Sequence, residues 1–269
     1  MTPDYSRYRW ISVTNDNGIA TLMLNQPDNR NAVHAEMHAE LEHVWLDLAS
    51  DPGVNVIVFT GAGKTFSAGG DIKRMVNRFG TEEGWKYSLE VPAATRRMFQ
   101  NILEVPQPIV AAVNGDAVGL GATLALFADV TVISETAKFG DSHVKVGLVA
   151  GDGGAVIWPV LVGPAKAKEF LMRGKLMSGS EAHAMGLVNH VVPVEQVMEL
   201  AVSLARELNA LPPLAVRWTK LSVNKWLKSQ LNMILDASIA YEMLSINSRD
   251  HHEAAKAFLE KRAPVYRGL

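Results

Sequence analysis

Apolar positions along this chain follow two spacings. Between residues 10 and 24 they form two β-rich runs, Trp10–Thr14 and Ile19–Leu24. The turn residues Asn15-Asp16-Asn17-Gly18 lie between them, which predicts a hairpin. After a polar loop at Gln26–Asn31, Val33, Met37, Leu41, Trp45 and Leu48 recur at helical spacing. They predict a helix over 33–50, ended by Asp51-Pro52-Gly53. Val54–Thr60 is almost continuously apolar, the pattern of a strand covered on both faces. Helical spacing returns over 81–104, where Pro92 is expected to interrupt it. Pro108–Val113 reads as a strand, 121–128 as the start of a helix, Val130–Ser134 as a strand, and Lys138–Phe139 as the start of another. Helices at Gly163–Arg173 and Ser180–Met185 and a strand at Val188–Val192 follow.

No segment repeats in sequence, but the strand–strand–helix rhythm recurs. It predicts an α/β fold of layered parallel strands with crossover helices. From Val194 onward the pattern is helical, over 197–208, 214–225, 231–248 and 252–260, with Pro212-Pro213 separating the first two. The apolar face carrying Leu231, Leu235, Ile239 and Met243 requires a surface to cover, either the main body or a neighbouring subunit. The expected division is therefore a core over 1–195 and a helical region over 196–269.

Composition narrows the chemistry. With 269 residues, 48% hydrophobic and 20% charged, the chain suits one large domain, alone or with an appendage. A net charge of −2 provides no basic field for nucleic acid. Cysteine is absent, which excludes disulfides, thiolate nucleophiles and zinc–cysteine sites. No stretch approaches the ~20 apolar residues that cross a bilayer, and the first residues show no leader pattern. A cytoplasmic enzyme that needs no membrane and no metal is the expectation.

Two glycine turns carry the candidate chemistry. Phe66-Ser-Ala-Gly-Gly-Asp-Ile-Lys73 and Asn114-Gly-Asp-Ala-Val-Gly-Leu-Gly121 each follow a β-rich run. Such turns can leave two main-chain N–H groups pointing into one pocket, the arrangement that holds a developing oxyanion. Competing motifs are weaker. Gly61-Ala-Gly-Lys-Thr65 lacks the first glycine of a phosphate loop, because that position is Val58. Gly119-Leu-Gly121 lacks the third dinucleotide glycine, and there is no Gly-x-Ser-x-Gly elbow. His34, His38 and His43 read as a solvated helix face rather than a metal site, and His251-His252 as surface. Trp85 and Trp158 read as core. His143 stands in a loop with Asp152 nine residues on, the composition of a proton-transferring pair. Asp152 alone would read as a helix cap, and Asp141 is a rival partner for His143.

These motifs together resemble the crotonase (enoyl-CoA hydratase/isomerase) superfamily. The resemblance runs from Asn29-Arg30-Asn31-Ala32 through the two turns, Ala137-Lys-Phe-Gly140 and Gly186-Leu-Val-Asn-His-Val-Val-Pro193, to Phe258-Leu-Glu-Lys-Arg262. It implies a spiral of ββα units with a C-terminal helical region that builds a homotrimer or a dimer of trimers. It implies an acyl-CoA or related carbonyl substrate, with no cofactor beyond the coenzyme A of the thioester. It places the oxyanion donors at Gly70 and Leu120, the latter where glycine is usual. CoA contacts fall on Arg30, Ala32, Ala68, Gly69, Asp71, Ile72 and Lys73, with Phe258 and Lys261 added from the same chain or a neighbouring subunit.

The departures bear on the reaction. The two hydratase glutamates fall on Thr123 and His143, so neither carboxylate is present. His143 with Asp152, ahead of Trp158-Pro159, resembles the 6-oxocamphor hydrolase branch in part. The expectation is an enolate or tetrahedral oxyanion held by Gly70 and Leu120, with His143 as general base and Asp152 as its partner. The alternatives are retro-Claisen hydrolysis of a β-dicarbonyl or ring ketone, and a non-catalytic CoA-binding protein.

Overall fold

The computed structural model describes residues 2–268. Its first strands, β1 (Ile11–Asp16) and β2 (Ile19–Leu24), form the expected antiparallel hairpin. Helix α1 (Ala35–Ser50) follows and then three strand pairs, each ending in helix. The first pair is β3 (Val56–Gly61) and β4 (Thr65–Ser67), leading to α2 (Ile72–Arg78) and α3 (Glu82–Glu104). The second is β5 (Ile109–Val113) and β6 (Asp116–Val118), leading to α4 (Leu120–Leu126). The third is β7 (Val130–Ser134) and β8 (Lys138–Gly140), leading to α5 (Gly154–Arg173).

In each pair the first strand joins one sheet and the second joins another. The large sheet has the order β1-β2-β3-β5-β7-β10, closed by β10 (His190–Val192). The small sheet is β4-β6-β8-β9, with β9 at Met177–Ser178. Parallel pairing of Ile57 with Ile109, and of Ala111 with Thr131, steps the chain along the large sheet one unit at a time. This is the ββα spiral of the crotonase fold.

The apolar run at β3 is buried on both faces, as its pattern requires. Ile57 and Phe59 face the core shared with Met37, Trp45 and Phe99, while Val56 and Val58 face helix α7 (Val197–Asn209) through Val197, Ala201 and Ala205. Phe59 meets Trp45 edge-on at 5.5 Å and Phe66 at 5.1 Å, a preferred aromatic geometry. Short helix α6 (Gly179–Met185) leads into β10, and α8 (Pro213–Ile246) and α9 (Arg249–Glu260) end the chain.

Several expectations change. Pro92 does not interrupt α3, which packs along α1 and α8 and buries Thr95, Met98, Phe99, Ile102 and Leu103 beyond it. The two helices expected at 214–225 and 231–248 are one, because Trp226–Gln230 contains no breaker. Helix α5 begins at Gly154 rather than Gly163, which is instead a non-helical joint within it. Trp158 is buried as expected, but Trp85 is 60% exposed. His251 is buried rather than on the surface, with Nδ1 2.6 Å from the Val146 carbonyl. Among the described residues no helix is long and apolar enough to cross a membrane.

Candidate active site

The first glycine turn is held from beneath. Asn31 Nδ2 donates to the carbonyls of Ala62 and Thr65, and the Ala68 N–H donates to the Arg30 carbonyl at 2.9 Å. The Val33 N–H donates to the Gly69 carbonyl at 2.7 Å. Gly69 has φ +82°, and a Cβ there would stand 2.5 Å from the Val118 carbonyl oxygen, so only glycine lets the two turns approach. The Gly70 N–H has no acceptor among the described residues. Asp71 then caps α2 by accepting from the Arg74 N–H, so it is a structural cap as well as a cleft residue.

The second turn comes from the end of β6. The Gly119 N–H donates to the Gly140 carbonyl at 2.9 Å, which ties the turn to β8. Leu120 is the first residue of α4, where a helix leaves its N–H groups unpaired, and its N–H has no acceptor within the described chain. The Leu120 side chain is buried. Thr123, one turn on, is buried with its hydroxyl 3.3 Å from the Gly119 carbonyl. It braces the turn and has no acid–base role at neutral pH.

His143 opens a 3-10 turn over His143–Val146 directly after β8. Its ring lies between two carboxylates, with Nδ1 2.7 Å from Asp141 Oδ1 and Nε2 3.3 Å from Asp152 Oδ2. Both rival partners are thus engaged, one on each nitrogen. Asp152 is not a cap, since Gly153 holds that position without a side-chain bond. These three residues supply donors within 4.8 Å of one another. The ring stands between the carboxylates and pairs with both, which is an ion-pair arrangement rather than a shell around a metal.

Burial disfavours the imidazolium, but Asp141 and Asp152 outweigh it and hold the His143 pKa well above its ordinary value. The two carboxylates thus favour the cationic form of the ring. Two carboxylate oxygens of the group, Asp141 Oδ2 and Asp152 Oδ1, are buried without a hydrogen-bond partner, and of the two residues Asp152 borders the cavity described next.

Two connected hollows meet at this group. A small inner cavity of about 50 Å³ is lined by Gly70, Leu120, His143 and Asp152. A larger cleft of about 620 Å³ is lined by Arg30, Ala32, Ala68, Gly69, Asp71, Ile72, Lys73 and Phe258. Gly70 and His143 border both. Lys138 and Lys145 add positive charge to the cleft wall. Lys261 does not line it; it ends α9 in the left-handed conformation, φ 56°.

Sequence reasoning missed His34, His38, Tyr87 and Glu242 among the titratable residues of the inner cavity. His34 and His38 border it rather than a solvated face, and the buried His34 ring donates from Nδ1 to Glu36 Oε2 at 2.8 Å and packs edge-on against Trp10. Burial pushes the Tyr87 phenol up to about 12. Burial, reinforced by the negative Asp152, raises the Glu242 carboxyl well above its ordinary value. Burial lowers His38. A signal for Glu242 existed: a carboxylate three residues beyond Ile239, on an otherwise apolar helix face. Tyr87 had none, because nothing local ties α3 to the glycine turns.

A ββα spiral with two unpaired turn amides opening on a shared cavity defines an enzyme of the crotonase superfamily. The chain belongs to the enoyl-CoA hydratase/isomerase family, whose model matches residues 14–268. It is 38% identical over 254 residues to a putative enoyl-CoA hydratase of Thermus thermophilus, covering 92% of this chain and 97% of that one. Its structure is similar to that of an enoyl-CoA hydratase/isomerase from Mycobacterium paratuberculosis, with TM-score 0.86, 34% identity and coverage of 92% and 97%. It is also similar to a β-diketone hydrolase from Anabaena sp. PCC 7120 bound to (S)-3-oxocyclohexyl acetic acid, with TM-score 0.82, 25% identity and coverage of 91% and 97%.

Proposed function

We propose that the protein acts on the thioester of an acyl-CoA through an enolate held by the Gly70 and Leu120 N–H groups. The observation that carries this reading is the meeting of both unpaired N–H groups, His143 and Asp152 on one inner cavity. The nucleotide and pantetheine occupy the larger cleft along Ala68–Lys73, beside Arg30, Ala32 and Phe258, with Lys261 contributed by a neighbouring subunit. Coenzyme A enters only as part of the substrate.

In the reaction Asp152 Oδ1 removes a proton from the α-carbon. The C–H electron pair moves onto the thioester oxygen, where the two N–H groups stabilise it. The His143 ring, paired with Asp152, relays the proton back to the carbon skeleton, so a double bond shifts with no change in formula. Each N–H is worth about 2.7–4 kcal/mol of transition-state stabilisation. With Thr123 in place of one glutamate and an imidazolium in place of the other, crotonyl-CoA hydration is slow.

The test is α-proton exchange. In deuterium oxide, NMR of a saturated acyl-CoA should show deuterium entering the α-carbon. Asp152→Asn should slow that exchange by about 10²–10⁴-fold while the thioester still binds. Exchange that continues in the variant at the original rate contradicts the reading, as does turnover of crotonyl-CoA at the rate of a dedicated hydratase.

One observation favours a second reading. The unpartnered Asp152 oxygen beside an imidazolium can equally activate water, and the chain is structurally similar to a β-diketone hydrolase. Carbon–carbon hydrolysis adds one water oxygen to a carboxylate product, so oxygen-18 from solvent appears there. Isomerisation incorporates none.

A further inference from the structure

Three polar groups on the wall of the inner cavity take no part in the proton path above. The His34 imidazole is buried, with Nδ1 engaged by Glu36 Oε2 at 2.8 Å and Nε2 without a partner. Glu242 is buried, and its Oε2 also has no partner. Tyr87 is half-buried, and its ring lies under the Arg78 guanidinium. These groups come from the start of α1, from α8 and from α3, yet they line the same cavity as Gly70 and Leu120. Val33, Val91 and Ile239 supply the apolar part of the lining.

Buried polar groups need partners, supplied by water or by a ligand. A cavity of about 50 Å³ has room for ordered water in the free protein. A plain alkyl chain entering it expels that water and leaves the groups unpaired. An acyl chain with an oxygen of its own does not. The phenol of Tyr87 is an O–H donor, and burial beside Asp152 favours the neutral, O–H-bearing form of the Glu242 carboxyl. Two donors select an acceptor oxygen. A carboxylate on the ligand would also meet repulsion from Asp141 and Asp152.

We infer that the acyl group this enzyme accepts carries a keto oxygen beyond the thioester carbonyl, received by the Tyr87 hydroxyl and the Glu242 carboxyl with the His34 imidazole beside them. This rests on the thioester reading of the site and narrows its substrate class.

Titration calorimetry with hexanoyl-CoA and its 3-oxo, 4-oxo and 5-oxo derivatives tests it. At least one oxo ligand should bind about tenfold or more tightly than hexanoyl-CoA. In Tyr87→Phe that advantage should fall to about threefold or less. Glu242→Met, which keeps length without the O–H, is the second variant and should act in the same direction. Equal affinity for all four ligands, or an advantage that survives both substitutions, overturns the inference and leaves the thioester reading standing. Tighter binding of adipoyl-CoA than of every oxo ligand also overturns it, in favour of a carboxylate. Failure of all of these ligands to bind overturns the inference and the thioester reading together.

Discussion

The His143 ring is nearly sealed from water, yet two carboxylates keep it charged, and that balance makes stability depend on pH. Its folded pKa lies well above the ordinary value, so the folded chain holds this proton more tightly than the unfolded one. The contribution is complete below about pH 6.5, where the unfolded imidazole is also protonated, and is lost as pH rises through the raised folded value. Removing the ring leaves Asp141 and Asp152 buried without their cation, a loss of about 3–5 kcal/mol. Urea denaturation of the wild type and His143→Gln across a pH series should therefore show a gap that is widest near pH 6 and narrows on the alkaline side. A gap that stays constant or widens with pH contradicts the charged state assigned to the ring. At this scale the sequence named Asp152 and Asp141 as rival partners of His143 but not that the ring pairs with both. Spacing says which groups are near, whereas the ring's position between two carboxylates depends on β8 and α5 meeting in space. The same limit hid His34, His251 and Glu242, whose burial comes from elements far along the chain.

The glycine turns are the elements on which the site depends, and they were readable because their constraint is local. A strand followed by glycine names the turn wherever the sheet lies. Gly69→Ala places a Cβ 2.5 Å from the Val118 oxygen at a φ of +82°. The turn must shift, at a cost of about 1–3 kcal/mol. The Gly70 N–H shifts with it, so kcat should fall by about 10²-fold or more while the protein remains folded by circular dichroism. Unchanged kcat would separate this turn from the chemistry. Long-range packing made other elements harder to read. Pro92 lacks an amide donor and should break a helix, but α1 and α8 hold α3 continuous on either side of it.

For the whole molecule, the fold is a repeated strand–strand–helix step, and that repeat was evident as rhythm before any coordinates. What the rhythm omits is how the last helices are covered. Helix α8 exposes Trp218, Trp226, Met233, Tyr241 and Leu244, more large apolar surface than one helix ordinarily leaves in water. This supports the proposal that the C-terminal helices join copies of the chain into a trimer or a pair of trimers. Light scattering coupled to gel filtration should give three or six times the chain mass, and Trp226→Glu should reduce it. A monomer at micromolar concentration contradicts the proposal.

The claim on which the rest depends is that the Gly70 and Leu120 amides grip the thioester oxygen. Isotope-edited infrared spectroscopy of hexanoyl-CoA carrying carbon-13 at the thioester carbonyl reads that grip directly. The account predicts a carbonyl stretch that moves to lower wavenumber when the ligand binds, because two N–H donors lengthen the C=O bond. A stretch left at the frequency of the free ligand in water would contradict it.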